Sequence, residues 1–149
     1  MFLALAYDPS NYPLNNNEWS FPLVEIIHIA GFALSIGTIV IVDMGLLGWG
    51  KRGSAAQLLR ETAPWTLAGL VVMLISGPLI FLSDPKMYLY NQSFRFKMTA
   101  LLLAILYNYT IHRKVALTGS SPGISKAVGV VSLALWVSVV AAGLFIAFV

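Results

Sequence analysis

Four stretches of about 20 or more mostly apolar residues follow one another from Phe21 to the C-terminus. A helix needs roughly 20 such residues to cross a hydrocarbon core of about 30 Å, and few other structures can bury so long an apolar run. The stretches cover about residues 21–49, 64–82, 94–112 and 124–149. The second and fourth carry no polar stripe of the kind a soluble amphipathic helix would show. Only 10% of the 149 residues are charged and 58% are apolar, whereas soluble domains carry about 25% charged residues. Lipid has to cover such a surface, and one domain is expected at this length.

Punctuation falls between the stretches, in GWGKRGSAAQ, SDPKMYLYNQS and TGSSPG. Ser20 is the expected N-cap of the first span, with Pro22 in its first turn, and Thr62 or Ala63 precedes Pro64 at the second. Short loops predict an all-α, up-down four-helix bundle with antiparallel neighbours. Basic residues gather in the first loop (Lys51, Arg52, Arg60) and around the third (Arg113, Lys114, Lys126), while the N-terminal tail holds only Asp8 and Glu18. The positive-inside rule then puts those loops in the cytoplasm and both termini outside, against a weaker vote from Lys86, Arg95 and Lys97. The same pattern orients a membrane protein rather than forming a phosphate-binding face, so no nucleic-acid partner is expected. Trp19, Trp49 and Trp65 mark expected span ends, and Trp136 alone lies deep. The opening MFLALAYDPS lacks a basic segment, so no cleaved signal peptide is expected.

Small residues predict close helix packing, through Gly31 and Gly37 in the first span and an Ala134, Ser138, Ala142 stripe in the fourth. Gly77-Pro78 is expected to bend the second.

No cysteine is present, which excludes disulfides, iron–sulfur clusters, thiolate zinc sites and cysteine nucleophiles. Two histidines remain. Glu25 and His28 form E-x-x-H on one face of the first helix. A di-iron site would need further inward carboxylates, and the other spans supply none. His28, roughly 10–12 Å below the outer end of its span, is expected either to ligate a haem axially or to hydrogen-bond Glu25 or a neighbouring helix. Lys86, Arg95 and Lys97 at the outer rim are candidates for haem propionates, and the Lys97 stem can reach toward the level of His28. His112 lies roughly 15 Å farther along the membrane normal, too far to share an iron with His28. It is expected to snorkel at the inner interface beside Arg113 and Lys114. Asp43 shares that depth, and a bond there would tie the first helix to the third. Asn108 is a candidate for bonding across helices.

The segments VEIIHIAGFALSIGTIVIVDMGLLGWG, ETAPWTLAGLVVMLISGPLIF and FRFKMTALLLAILYNYTIHRK resemble a widespread bacterial family of small four-helix membrane proteins of unknown function. More distantly the chain is similar to the copper-resistance CopD group and to HemJ-type, haem-binding protoporphyrinogen oxidases. The HemJ likeness implies haem b at a histidine and a lysine that match His28 and Lys97 here. The chain departs from that pattern at Asp43 and at Tyr107-Asn108. The resemblance thus implies a haem b protein of the bacterial inner membrane, with His28 as metal ligand and Lys97 beside the cofactor, serving electron transfer or porphyrin redox chemistry. Arg95 at the outer rim and Glu25 beside His28 are further expected cofactor contacts. The alternative expectation is a non-catalytic accessory subunit, packed in the bilayer against a larger respiratory or photosynthetic complex or against copies of itself.

Overall fold

The computed structural model describes residues 7–49 and 53–148. The leader expectation at residues 1–6, the basic pair Lys51 and Arg52, and the last residue of the fourth span lie outside them. The described chain is all helix and loop, with no strand.

Helix α1 spans Ser20–Leu47. Ser20 is its first residue rather than its cap. The chain enters through Trp19, whose N–H donates to Asn17 Oδ1 at 2.9 Å. Pro22 sits in the first turn, where a missing N–H costs nothing. The helix stops at Gly48, in the left-handed conformation at φ 76°, which only glycine adopts freely.

Helix α2 spans Ala55–Phe81 and begins nine residues before the expected start at Pro64. Ser54 supplies the reason. Its hydroxyl accepts the Gln57 N–H, and Gln57 then donates to Glu61 at 2.9 Å. The following residues are good helix formers, and Leu59 among them is buried. Pro64 and Pro78 both lie inside the helix, each removing one backbone donor.

A short helix, α3 (Pro85–Tyr90), occupies the second loop, capped by Asp84, which accepts the Met87 N–H. Helix α4 (Gln92–Tyr107) follows, capped by Asn91. A π turn over Asn108–His112 and helix α5 (Arg113–Thr118) continue in right-handed helical dihedrals. Helix α6 spans Pro122–Phe145 and ends in a 3-10 turn, Ile146–Phe148.

Three helices, α1, α2 and α6 with its terminal turn, are long and apolar enough to cross a membrane. The protein is a multi-pass membrane protein. The third expected span is split by the π turn, and its α4 piece has only 16 residues.

Helix α1 packs against α2 and α6, α4 packs against α6, and α5 closes on α2. Between α1 and α2 the backbones approach closely at Gly31 and Gly69. A Cβ on Gly69 would lie 2.5 Å from the Gly31 carbonyl oxygen and 2.8 Å from the Ser35 nitrogen. Beside this contact Ser35 Oγ donates to the Thr66 carbonyl at 3.1 Å, and the Thr38 and Thr66 hydroxyls bond at 2.8 Å. Gly37, by contrast, has nothing within 4 Å of an added Cβ. The small-residue stripe of the fourth span also moves. Ala134 is exposed and Ser138 half-buried, and the buried face is Gly129, Ser132, Trp136, Val139 and Ala142. The Ser138 hydroxyl donates back to the Ala134 carbonyl at 2.7 Å, so it presents no free donor to lipid. Trp136 is buried as expected. Trp19 and Trp49 stand exposed at the ends of α1, whereas Trp65 is exposed well inside α2.

Candidate functional site

Two polar centres sit at opposite ends of α1. The first is built around His28. Ser76, one residue before Gly77 on α2, places its Oγ 2.8 Å from His28 Nδ1. That hydroxyl also lies 2.7 Å from the Val72 carbonyl. With its hydrogen there it accepts from the ring, which places the His28 proton on Nδ1 and a lone pair on Nε2. The expectation of a bond to a neighbouring helix holds, and Ser76 rather than Glu25 is the partner. Glu25 is exposed. A Cβ on Gly77 would come within 3.4 Å of His28 Cε1, so glycine leaves the edge of the ring clear.

Lys97 of α4 is half-buried, and its Nζ lies 5.9 Å from the centre of the Phe32 ring. Phe32 is one turn deeper than His28, so the stem does reach inward. Gly143 of α6 makes room, since a Cβ there would meet Nζ at 3.4 Å. Arg95 and Lys86 are exposed. Phe81, Tyr88 and Phe94 form an aromatic cluster at this end, with centroids 5.2 to 6.1 Å apart. Tyr88, in the loop helix, has its phenol held above the usual range by burial and then by the Glu25 and Asp84 carboxylates.

The second centre is Asp43. Its Oδ1 bonds His112 Nε2 at 2.7 Å, and its Oδ2 accepts the Ser132 hydroxyl at 2.9 Å. All three side chains are buried to within 1% of full burial. One carboxylate thus ties α1 to the π turn and to α6, as the shared depth of Asp43 and His112 predicts. The snorkelling position expected for His112 is corrected. At 0% exposure it points into the bundle, because the π turn adds a residue to one helical turn and re-aims the side chains beyond it. Asn108 is also buried, and its Oδ1 bonds no other helix.

Ser76, Ser132 and the π turn are functional features that no sequence expectation named. Ser132 follows Gly129 and precedes Trp136 at helical spacing, which marks the inward face of α6. Ser76 and the π turn have no comparable signature, since serine bonds its own helix as readily as a neighbour.

Among the described residues no group of three or more His, Asp and Glu side chains converges to hold a metal ion. A single axial ligand is a smaller demand. Of the two histidines, His28 has Nδ1 oriented by a hydroxyl, as an outer partner orients a ligating imidazole, and directs Nε2 away from that bond. His112 has Nε2 committed to Asp43.

The model of a family of unknown function, DUF6644, matches residues 21–149. The chain belongs to this family. The match begins at the second residue of α1 and covers α2 and α6 entirely, and both polar centres lie within it. No curated protein and no solved structure matches the chain, so the likeness to the CopD and HemJ groups gains no support from either.

Proposed function

We propose that this family member is a four-span protein of the bacterial inner membrane that binds haem b at His28, for electron transfer or porphyrin-related redox chemistry. The observation that carries this reading is the His28–Ser76 bond, which presents Nε2 as an unprotonated donor. Lys97 brings a positive charge to the same end for a propionate or a second contact, with Arg95 and Glu25 at the rim. A bound haem would supply a one-electron couple, and the residues here would hold and orient it.

Helices α4 and α5 make the fourth crossing, joined through the π turn into one rod. At about 1.5 Å per residue the stretch from Gln92 to Thr118 exceeds a core of about 30 Å. With the basic loops inside, His28 lies toward the outer face and Asp43 toward the cytoplasm.

Protein purified from haem-replete cells should show a Soret band. His28→Ala should abolish it, and Ser76→Ala should weaken haem retention about tenfold, the usual effect of removing the group that orients a ligand. A colourless protein, or a band indifferent to His28→Ala, would refute haem at this site. The alternative, a non-catalytic accessory subunit or a homo-oligomer, draws on the exposed apolar rows Ile26, Ile29, Leu102 and Leu106. It predicts a colourless chain that leaves mild detergent bound to larger partners.

A further inference from the structure

A cleft of about 460 Å³ indents the bundle at the Asp43 end, between α1, α2 and the π turn. Its walls are apolar, with Ile39 and Val42 at the back and Leu67 and Tyr109 at the mouth. Leu67 and Tyr109 are both exposed on helices that lipid surrounds, so the cleft opens toward the bilayer. Arg60 and Arg113 line it from opposite sides, α2 and α5, and both are exposed. Two other lining residues, Asn108 and His112, carry buried atoms without partners, Asn108 Oδ1 and His112 Nδ1.

The character of His112 Nδ1 follows from its surroundings. A fully buried pair is held at net zero charge, because an uncompensated buried charge costs several kcal/mol. Whether the shared proton sits on Asp43 or on His112 Nε2, a neutral pair leaves a hydrogen on Nδ1. A buried N–H donor therefore lies beneath the cleft lining and lacks an acceptor. The Asn108 amide, turned about its last bond, offers a second donor, since the assignment of its oxygen and nitrogen follows from the partners present. The guanidinium of Arg60 has its Nε engaged with the Ala56 carbonyl, which leaves its terminal nitrogens to reach a ligand.

We propose that this cleft binds the phosphate of an anionic phospholipid, with its acyl chains running out past Leu67. Two arginines at a helix-lined cleft near the membrane face, donors at its floor and apolar walls open to lipid match the charge, the acceptor oxygens and the tail of such a molecule. A free phosphate would meet the same donors but would leave the apolar walls unused. The site is distinct from His28 and does not depend on haem there.

The test is equilibrium binding of phosphatidylglycerol to the full chain in phosphatidylcholine nanodiscs. Arg60→Gln and Arg113→Gln should each weaken binding about fivefold, the effect of one basic residue at a membrane surface. Asn108→Leu should weaken it further by filling the floor, and Lys126→Gln, a basic residue outside the cleft, should change it less than twofold. These variants leave the Asp43–His112 pair intact, and an unchanged melting temperature verifies folding. Equal preference for phosphatidylcholine would overturn the proposal. So would an equal loss in Lys126→Gln, which would mark general electrostatics, or competition by millimolar inorganic phosphate as effective as that by phosphatidylglycerol, which would mark a small-anion site.

Discussion

Asp43→Ala is expected to destabilise the protein by about 3–5 kcal/mol, the range found when one partner of a buried pair is removed. The substitution strands two groups at once. His112 Nε2 loses its 2.7 Å partner and Ser132 its 2.9 Å partner, in a place that water does not reach. Ser132→Ala should cost much less, because single hydrogen bonds between membrane helices average about 0.6 kcal/mol with a maximum of about 1.7. The double variant Asp43→Leu/His112→Leu should recover most of the loss, since apolar residues of similar volume replace buried pairs at little cost. Denaturation in mixed micelles, followed by near-ultraviolet circular dichroism, reads all three. A loss below about 1 kcal/mol in Asp43→Ala would mean that the three-helix clamp does not hold the bundle.

Gly69→Leu should separate α1 from α2. The nearest atoms to a Cβ at this position are backbone, the Gly31 oxygen at 2.5 Å and the Ser35 nitrogen at 2.8 Å, and backbone cannot turn aside as a flexible side chain can. Overpacking of a close contact costs about 1–3 kcal/mol and sometimes more. Here the upper end is expected, because moving α1 also breaks the Ser35–Thr66 and Thr38–Thr66 bonds. The loss should be accompanied by release of His28 from Ser76, which lies on the same interface two turns along. Gly37→Ala is the matched comparison. With open space around it, it should stabilise by up to about 1 kcal/mol through helix propensity alone. Equal effects at Gly69 and Gly37 would mean that the close approach of α1 and α2 contributes nothing.

Much of this architecture is legible in the sequence because the bilayer leaves so few solutions. Apolar length alone marks α1, α2 and α6. The link between Asp43 and the third helix is legible too, since helix rise turns sequence position into depth and depth limits partners. Sequence reasoning stops where side-chain direction matters. His112 lies beside Arg113 and Lys114, which suggests an interface, yet a π turn swings it inward. The early start of α2 at Ala55 was hidden by Pro64, which ends most helices but is tolerated here. On α6 the spacing of small residues favoured Ala134 and Ser138, while the bulk of Trp136 decides which face turns in. At His28 depth and residue type are legible, whereas its partner Ser76 has no distinguishing mark among the serines and threonines that bond their own helices.

Haem at His28 and the basic cleft beside Asp43 both require these two centres to face opposite sides of one membrane. The chain has no cysteine, so single cysteines at Ser10, Gln57, Met87 and Ser120 can each report their side through an impermeant maleimide. In intact spheroplasts Ser10→Cys and Met87→Cys should react at once, while Gln57→Cys and Ser120→Cys should react only after permeabilisation. Labelling of Ser10→Cys and Gln57→Cys from the same side would contradict the placement of His28 and Asp43 at opposite faces, and labelling of Met87→Cys and Ser120→Cys from the same side would contradict the fourth crossing.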